Sequence, residues 1–149
     1  MRIAILNGPN LNLLGRREPT IYGTRSMEQV LLDIQRAYPD VYLEYHQSNH
    51  EGVLIDWVQE LGVLRSGQEL DGIVLNAGGY THTSVALRDA VACSQVPVVE
   101  VHVSDITARE DFRRVSLMSD VCAHTIMGHG VDGYLEGVEW IIKQTSGNK

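Results

Sequence analysis

Five short apolar runs that alternate with helix-like segments restrict the fold of this 149-residue sequence more than any other feature. The runs are rich in Val, Ile and Leu and predict strands at 3–6, 41–47, 72–76, 96–103 and 121–127. Apolar residues spaced three and four apart predict helices at 27–37, 54–64, 85–93 and 131–143, with a shorter one at 109–115. Alternating strands and helices form a parallel sheet covered on both faces, because crossover connections are right-handed. We therefore predict an α/β fold with a doubly wound, five-stranded parallel sheet.

Length, composition and charge indicate one soluble domain. A chain of 149 residues with 44% hydrophobic residues is the size of a single domain with a real core. A net charge of -7 argues against nucleic-acid binding. We see no run of roughly 20 apolar residues for a membrane span and no signal-peptide pattern, so we expect a cytoplasmic protein. We also expect buried, unpaired thiols at Cys93 and Cys122 and a frayed tail at 146–149.

Polar residues follow the first, third and fourth predicted strands, where doubly wound sheets bind ligands. The first strand leads into "NGPNLNLLGRREPTIYG", which holds adjacent arginines and Tyr22. The third leads into "NAGGYTH", with Asn76 and His82. The fourth contains Glu100 and His102, two residues apart and therefore on one face of the strand. A loop as long as the first is usually either functional or disordered.

These residue types suit acid–base chemistry once they share a site. A cation beside a phenol favours the phenolate, which makes Tyr22 a candidate base. A histidine such as His102 can act as the partner acid, and a carboxylate such as Glu100 can orient its ring. Each residue also has an ordinary structural interpretation, because loop arginines are usually solvated and Asn76 before two glycines is typical of a turn. Their convergence on one sheet edge favours proton abstraction beside a carbonyl, followed by loss of a hydroxyl.

Several motifs resemble those of type II 3-dehydroquinate dehydratases. "NGPNLNLLGRREPTIYG", "QSNHEG", "THTSVALRDA", "VEVHVS" and "AREDFR" occur in the order and spacing of that family, and the resemblance runs from Ile3 to about Tyr134. It implies a flavodoxin-like fold and a hydro-lyase that needs no cofactor or metal. The implied reaction converts 3-dehydroquinate to 3-dehydroshikimate by anti elimination of water through an enolate, in the shikimate pathway or in quinate breakdown.

The resemblance assigns catalytic roles residue by residue. Tyr22 matches the base that takes the proton from C2, and Arg17 matches the arginine that favours its phenolate form. Asn10 matches the asparagine that holds a water near the enolate oxygen. His102 matches the acid that protonates the leaving C1 hydroxyl, and Glu100 matches its orienting partner.

Substrate contacts follow from the same resemblance. Asn76 and the backbone amides of Val103 and Ser104 match the site for the substrate carboxylate. His82 and Arg113 match groups that contact the ring hydroxyls.

The resemblance also implies a lid and an assembly. Residues 8–24 match a mobile catalytic lid within a single-domain enzyme, and Arg109 adds positive charge near the base. Asp89 matches an acidic residue that reaches a neighbouring subunit's site, so the family pattern implies a trimer at least and commonly a dodecamer of four trimers. The chain departs from the usual family residues at Ala77, Gly79, Asp105, Thr107, Arg114 and Val115.

Three other protein classes share this strand and helix pattern. A flavodoxin-like FMN carrier needs a hydroxyl- and glycine-rich phosphate loop after the first strand, where this chain has arginines, prolines and a tyrosine. A phosphoacceptor signalling domain needs acidic residues there and an aspartate ending the third strand, where Asn7 and Asn76 stand. A metal hydrolase has weak support in His46 and His50, which straddle a strand end.

Overall fold

The computed structural model describes residues 1–16 and 18–147 and contains the predicted parallel sheet. Its strands are β1 (Arg2–Asn7), β2 (Tyr42–Gln47), β3 (Gly72–Asn76), β4 (Val98–His102) and β5 (His124–Met127). They lie in the order β2-β1-β3-β4-β5, and every neighbouring pair is parallel. The chain adds β2 on one side of β1 and then adds β3, β4 and β5 on the other side. The connections after β1 and β3 therefore leave the sheet in opposite directions, and folds of this kind open a ligand-binding crevice at that point.

Helices connect the strands much as the apolar spacing predicts. They are α1 (Pro19–Tyr22), α2 (Met27–Ala37), α3 (Glu51–Gln59), α4 (Val85–Ala92) and α5 (Asp132–Gly147). Ser26 caps α2 through a reciprocal pair, in which its hydroxyl accepts from the Gln29 amide at 3.3 Å and its own amide donates to Gln29 Oε1 at 2.8 Å. No helix of residues 1–16 and 18–147 has both the length and the apolar character needed to cross a membrane.

Two apolar cores lie on opposite faces of the sheet. Ile3 and Ile5 of β1 belong to the core under α2 and α5, whereas Ala4 and Leu6 belong to the core under α3 and α4. All four side chains are fully buried, as expected for a strand covered on both faces. This arrangement confirms the doubly wound α/β prediction.

Several element boundaries differ from the sequence predictions. The helix predicted at 54–64 is α3 followed by a π-helical turn at Glu60–Leu64, and the strand predicted at 96–103 is the shorter β4. β5 begins at His124 rather than at 121, because the amides of Val121 and Cys122 both donate to the Met118 carbonyl in a turn. The predicted helix at 109–115 is replaced by separate 3₁₀ turns at Ile106–Ala108 and Asp111–Arg113, since Arg109 between them has an extended backbone.

Two further expectations from the sequence are wrong. α5 continues to Gly147, so the part of the predicted tail at 146–147 is helical, and residues 148–149 lie outside the described part of the chain. Cys93 is exposed at the end of α4 rather than buried. Cys122 is partly buried, and burial raises the pKa of its thiol to about 12.

Candidate active site

A cavity opens at the carboxyl edge of the sheet and collects side chains from loops that are far apart in sequence. It lies beyond the ends of β1, β3 and β4, where the fold predicts a ligand site. Nine residues that the sequence analysis proposed for catalysis or substrate binding line it: Asn10, Tyr22, Asn76, His82, His102, Val103, Ser104, Arg109 and Arg113.

The other proposed residues stand apart from the cavity wall. Glu100 is 1% exposed and lies behind His102. Asp89 is exposed on α4 and is absent from the cavity lining, at least among the described residues. Arg17 lies outside the described residues.

Tyr22 is held beside a guanidinium group at the cavity wall. It ends α1, the short helix that interrupts the loop after β1. Arg109 Nη1 donates to the Tyr22 hydroxyl at 3.3 Å and to Ser104 Oγ at 3.1 Å. The hydrogen bond to Tyr22 raises the pKa of Arg109, so the arginine stays charged at this position. A fixed cation beside a phenol stabilises the phenolate form.

The turn at the start of the loop depends on an unusual backbone conformation. Asn10 adopts a left-handed conformation with φ of 67°, which asparagine tolerates better than most residues. Its backbone amide donates to Asn49 Oδ1 at 3.0 Å, so the "QSNHEG" segment holds the loop that carries Tyr22. Gly8 lies so close to the third strand's loop that a Cβ atom there would be 2.4 Å from the Ala77 carbonyl oxygen.

His102 and Glu100 form a buried acid–base pair. Both side chains lie on one face of β4, as predicted from their spacing, and His102 Nε2 is 2.6 Å from Glu100 Oε1. The side chain of His102 is only 6% exposed. Because Nε2 is engaged with the carboxylate, Nδ1 is the ring nitrogen left to exchange a proton with a ligand.

Three hydroxyl groups complete the surroundings of Glu100. Ser119 Oγ and Thr125 Oγ1 donate to Oε2 at 2.6 and 2.9 Å, and Ser116 Oγ donates to Oε1. Burial pushes the pKa of Glu100 upward, but the hydrogen bonds from His102, Ser116 and Ser119 outweigh it and bring the pKa to about 2. Glu100 is therefore ionised at neutral pH and able to orient the histidine ring.

Sequence reasoning missed these hydroxyl residues. A glutamate within the apolar run "VPVVEVHV" is expected to be buried, and a buried carboxylate needs hydrogen-bond donors. This requirement is the only signal in the sequence that such donors exist. The sequence does not show which residues are the donors, because Ser119 and Thr125 lie 19 and 25 residues after Glu100.

His82 has its tautomer set by a backbone contact. Its Nδ1 lies 2.8 Å from the carbonyl oxygen of Val115, which can only accept, so Nδ1 carries a proton. Val115 is one of the departures from the family pattern, yet the contact uses its backbone and does not depend on the side chain. Nε2 is then the second ring nitrogen that can contact a ligand.

The departures in the segment after β4 pair with one another or with a neighbouring side chain. Asp105 Oδ1 accepts from the Thr107 amide at 3.0 Å and from the Thr107 hydroxyl at 2.6 Å, and these bonds lower the pKa of Asp105. The exposed Arg114 pairs with Asp111 at 3.0 Å. These contacts keep the segment after β4 ordered without entering the cavity.

The cavity is locally cationic in an acidic protein. Arg109 and Arg113 line it, and the exposed Glu110 approaches both, at 3.5 and 3.2 Å from their Nε atoms. This pair suits an anionic ligand despite the net charge of -7.

Residues 1–16 and 18–147 include no group of three or more His, Cys, Asp or Glu placed to hold a metal ion. His46, which weakly suggested a metal hydrolase, is 2.9 Å from Glu44 and its ring lies 4.8 Å from that of Trp57.

Comparisons with known proteins agree with the motifs. The family model for class II dehydroquinases matches residues 1–142. The 3-dehydroquinate dehydratase of Halothermothrix orenii is 47% identical over 95% of this chain and 93% of its own, and that of an Exiguobacterium species is 48% identical over 96% and 95%. A type II dehydroquinase structure from Butyrivibrio crossotus has a TM-score of 0.87 at 42% identity, covering 95% of this chain and 97% of that chain. This chain therefore belongs to the class II dehydroquinase family.

Proposed function

We propose that the protein dehydrates 3-dehydroquinate to 3-dehydroshikimate, the reaction named for its relatives. One observation carries the proposal most directly. Tyr22 with its arginine and His102 with its carboxylate line the same cavity, so a base and an acid can reach one small ligand.

In the first step Tyr22, as the phenolate, removes the proton from C2 of the substrate. The C–H electron pair forms a double bond to C3, and the carbonyl oxygen there becomes an enolate. Asn10 holds a water near that oxygen. The cation of Arg109, 3.3 Å from the phenol, supports the ionised base, and we assign a similar role to Arg17.

In the second step the enolate collapses and water leaves. The C3 carbonyl re-forms, a double bond forms between C1 and C2, and the bond from C1 to its hydroxyl breaks. His102 gives its proton to that hydroxyl, while the buried carboxylate of Glu100 stabilises the charged ring beforehand. One proton is taken from carbon and one is given to oxygen, so the reaction is balanced.

Substrate binding uses the polar wall between these groups. We assign the substrate carboxylate to Asn76 and to the backbone amides of Val103 and Ser104, which line the cavity together. We assign the ring hydroxyls to His82 and Arg113, which lie on the loops after β3 and β4.

Residues 8–24 act as a lid in this proposal. They contain α1, which carries Tyr22, and they are held at Asn10 by Asn49. Closure over the substrate brings the base to C2 and excludes water.

Assembly into a trimer at least, and a dodecamer of four trimers, is part of the proposal. Asp89 is exposed on α4, one turn beyond Val85, whose side chain is 59% exposed. An apolar residue and a carboxylate on one exposed helix face suit contact with a neighbouring subunit, into whose site Asp89 then projects.

The test is incubation of the purified protein with 3-dehydroquinate while the ultraviolet absorbance of the conjugated enone is followed. Mass spectrometry of the product checks that one water has been lost. Enone formation that depends on the protein supports the proposal, whereas substrate recovered unchanged at high enzyme concentration contradicts it.

A further inference from the structure

Tyr134 lies behind the cavity, with its hydroxyl between the asparagines that end the two central strands. It is fully buried in the first turn of α5. Asn7 and Asn76 are paired across β1 and β3. The Tyr134 hydroxyl donates to Asn7 Oδ1 at 2.8 Å and accepts from Asn76 Nδ2 at 3.0 Å.

The hydrogen bonds fix which way the Asn76 amide points. The Gly78 backbone amide, which can only donate, approaches Asn76 at 3.1 Å, so the atom facing it is the side-chain oxygen. The side-chain nitrogen therefore faces Tyr134, whose oxygen accepts from it. The tyrosine proton then needs an acceptor in a fully buried place, and Asn7 Oδ1 supplies it.

The orientation decides what Asn76 offers to the cavity. Its oxygen is engaged by Gly78, and one of its two N–H bonds is engaged by Tyr134. The remaining N–H is a donor on a residue that lines the cavity. A donor suits an anionic oxygen, whereas the reversed amide would present an acceptor and repel it.

We propose that Tyr134 is a positioning residue that, together with the Gly78 amide, holds the Asn76 amide so that it donates to the substrate carboxylate. The inference rests on the proposed function, which places that carboxylate against Asn76. Burial raises the pKa of Tyr134, so its hydroxyl keeps the donated proton throughout the working pH range. The contact is made to a part of the substrate that does not react, so it strengthens binding of the substrate and of the transition state alike.

The first measurement compares the wild-type protein with Tyr134→Phe, which keeps the ring and removes one oxygen. Loss of the buried hydrogen bond leaves the Asn76 amide held by Gly78 and no longer by Tyr134, and we expect KM to rise about tenfold while kcat stays within about threefold. Tyr38→Phe is the matched control, because it removes a phenol whose hydroxyl contacts Glu139, away from the cavity. It leaves KM unchanged.

A double-mutant cycle separates positioning from a general loss of structure. In an Asn76→Ala background the amide is absent, so Tyr134→Phe has no further effect on KM if it acts through Asn76. The inference is overturned if the two substitutions raise KM independently, so that their effects multiply in the double variant. It is also overturned if Tyr134→Phe alone leaves KM unchanged. A wild-type protein without activity refutes the proposed function instead. The same cycle is then measured on the Kd of 3-dehydroquinate, and absence of binding or of coupling overturns the inference on its own.

Discussion

Arg109 contacts Tyr22 at the cavity wall, with Nη1 donating to the phenol oxygen at 3.3 Å although 87 residues separate them in sequence. The same nitrogen donates to Ser104 just after β4, so the cation is anchored to the sheet rather than to the loop that carries the phenol. The proposed base is thus matched to a cation that is held beside the end of β4.

Removing this cation should slow the chemical step. In Arg109→Met we expect kcat to fall about tenfold or more, because a hydrogen bond to a charged group contributes about 1.5–3 kcal/mol and each 1.36 kcal/mol is tenfold in rate. Steady-state kinetics measure the change. Arg36→Met is the control, since Arg36 is exposed on α2, 3.8 Å from Asp33, and does not line the cavity. A normal kcat in Arg109→Met would exclude the pairing from catalysis.

The hydroxyls around Glu100 should set the acid limb of the rate profile. Ser119→Ala removes a donor 2.6 Å from Oε2, so the carboxylate binds a proton more readily and loses its hold on His102 at a higher pH. We expect the acid limb of kcat to move upward in pH from the Glu100 pKa of about 2, as measured from pH 9 down to pH 2.5. The exposed Ser66→Ala variant should keep the wild-type profile. An identical profile for Ser119→Ala would show that these hydroxyls do not tune the pair.

The free energy of unfolding at acid pH should depend on the ionised carboxylate of Glu100. The folded-state pKa of Glu100 is about 2, below the roughly 4.3 of an unfolded glutamate, so its stabilising effect is present above the unfolded value and is lost as pH falls toward 2. Glu100→Gln has no such titration. The free energy of unfolding, measured in denaturant from pH 5 to 2.5, should therefore fall less steeply with decreasing pH than in the wild type.

A second carboxylate provides a comparison for that experiment. Hydrogen bonds from Arg65, opposed by burial, lower the pKa of Glu44 to about 2, and it lies on β2 away from the cavity. Glu44→Gln should flatten the same part of the stability profile without changing turnover. Equal slopes in wild type and both variants would show that neither carboxylate is stabilised in the folded protein.

Activity should depend on contact between subunits. If Asp89 reaches a neighbour's site, Asp89→Ala weakens both substrate binding and the trimer, and a dissociated monomer is nearly inactive. Analytical ultracentrifugation with parallel assays measures the two together. Asp56→Ala, an exposed carboxylate on α3, is the control. A fully active monomer would show that the site is built within one chain.

Much of the fold follows from the sequence because the strands are buried on both faces. Ile3, Val74 and Val99 lie in continuous apolar runs that only a covered sheet accommodates. Short-range pattern fails where local contacts decide the outcome. The residues before β5 are apolar enough for a strand, yet the Met118 carbonyl accepts hydrogen bonds from their amides and forms a turn. Cys93 at the end of α4 is exposed, although the apolar residues near it in the sequence suggest burial.

The residues that line the cavity could be predicted from the sequence, whereas the buried residue that holds Asn76 in place could not. Asn76 and His102 are the last residues of β3 and β4, and Tyr22 lies in the loop after β1, so the topology brings them to one edge of the sheet. Tyr134 lies 58 residues from Asn76, in an amphipathic helix. An aromatic residue on the apolar face of such a helix is expected to be a core residue without a further role. Only the packed structure reveals that its hydroxyl lies between two asparagines.

The role of Tyr22 as the base on 3-dehydroquinate is tested by comparing enone formation by the wild type and by Tyr22→Phe side by side. The variant keeps the ring and loses one oxygen. We predict rapid turnover by the wild type and a fall in kcat of at least about a hundredfold in the variant, as for loss of general base catalysis, with substrate affinity retained. Turnover by Tyr22→Phe within a few-fold of wild type would contradict the account.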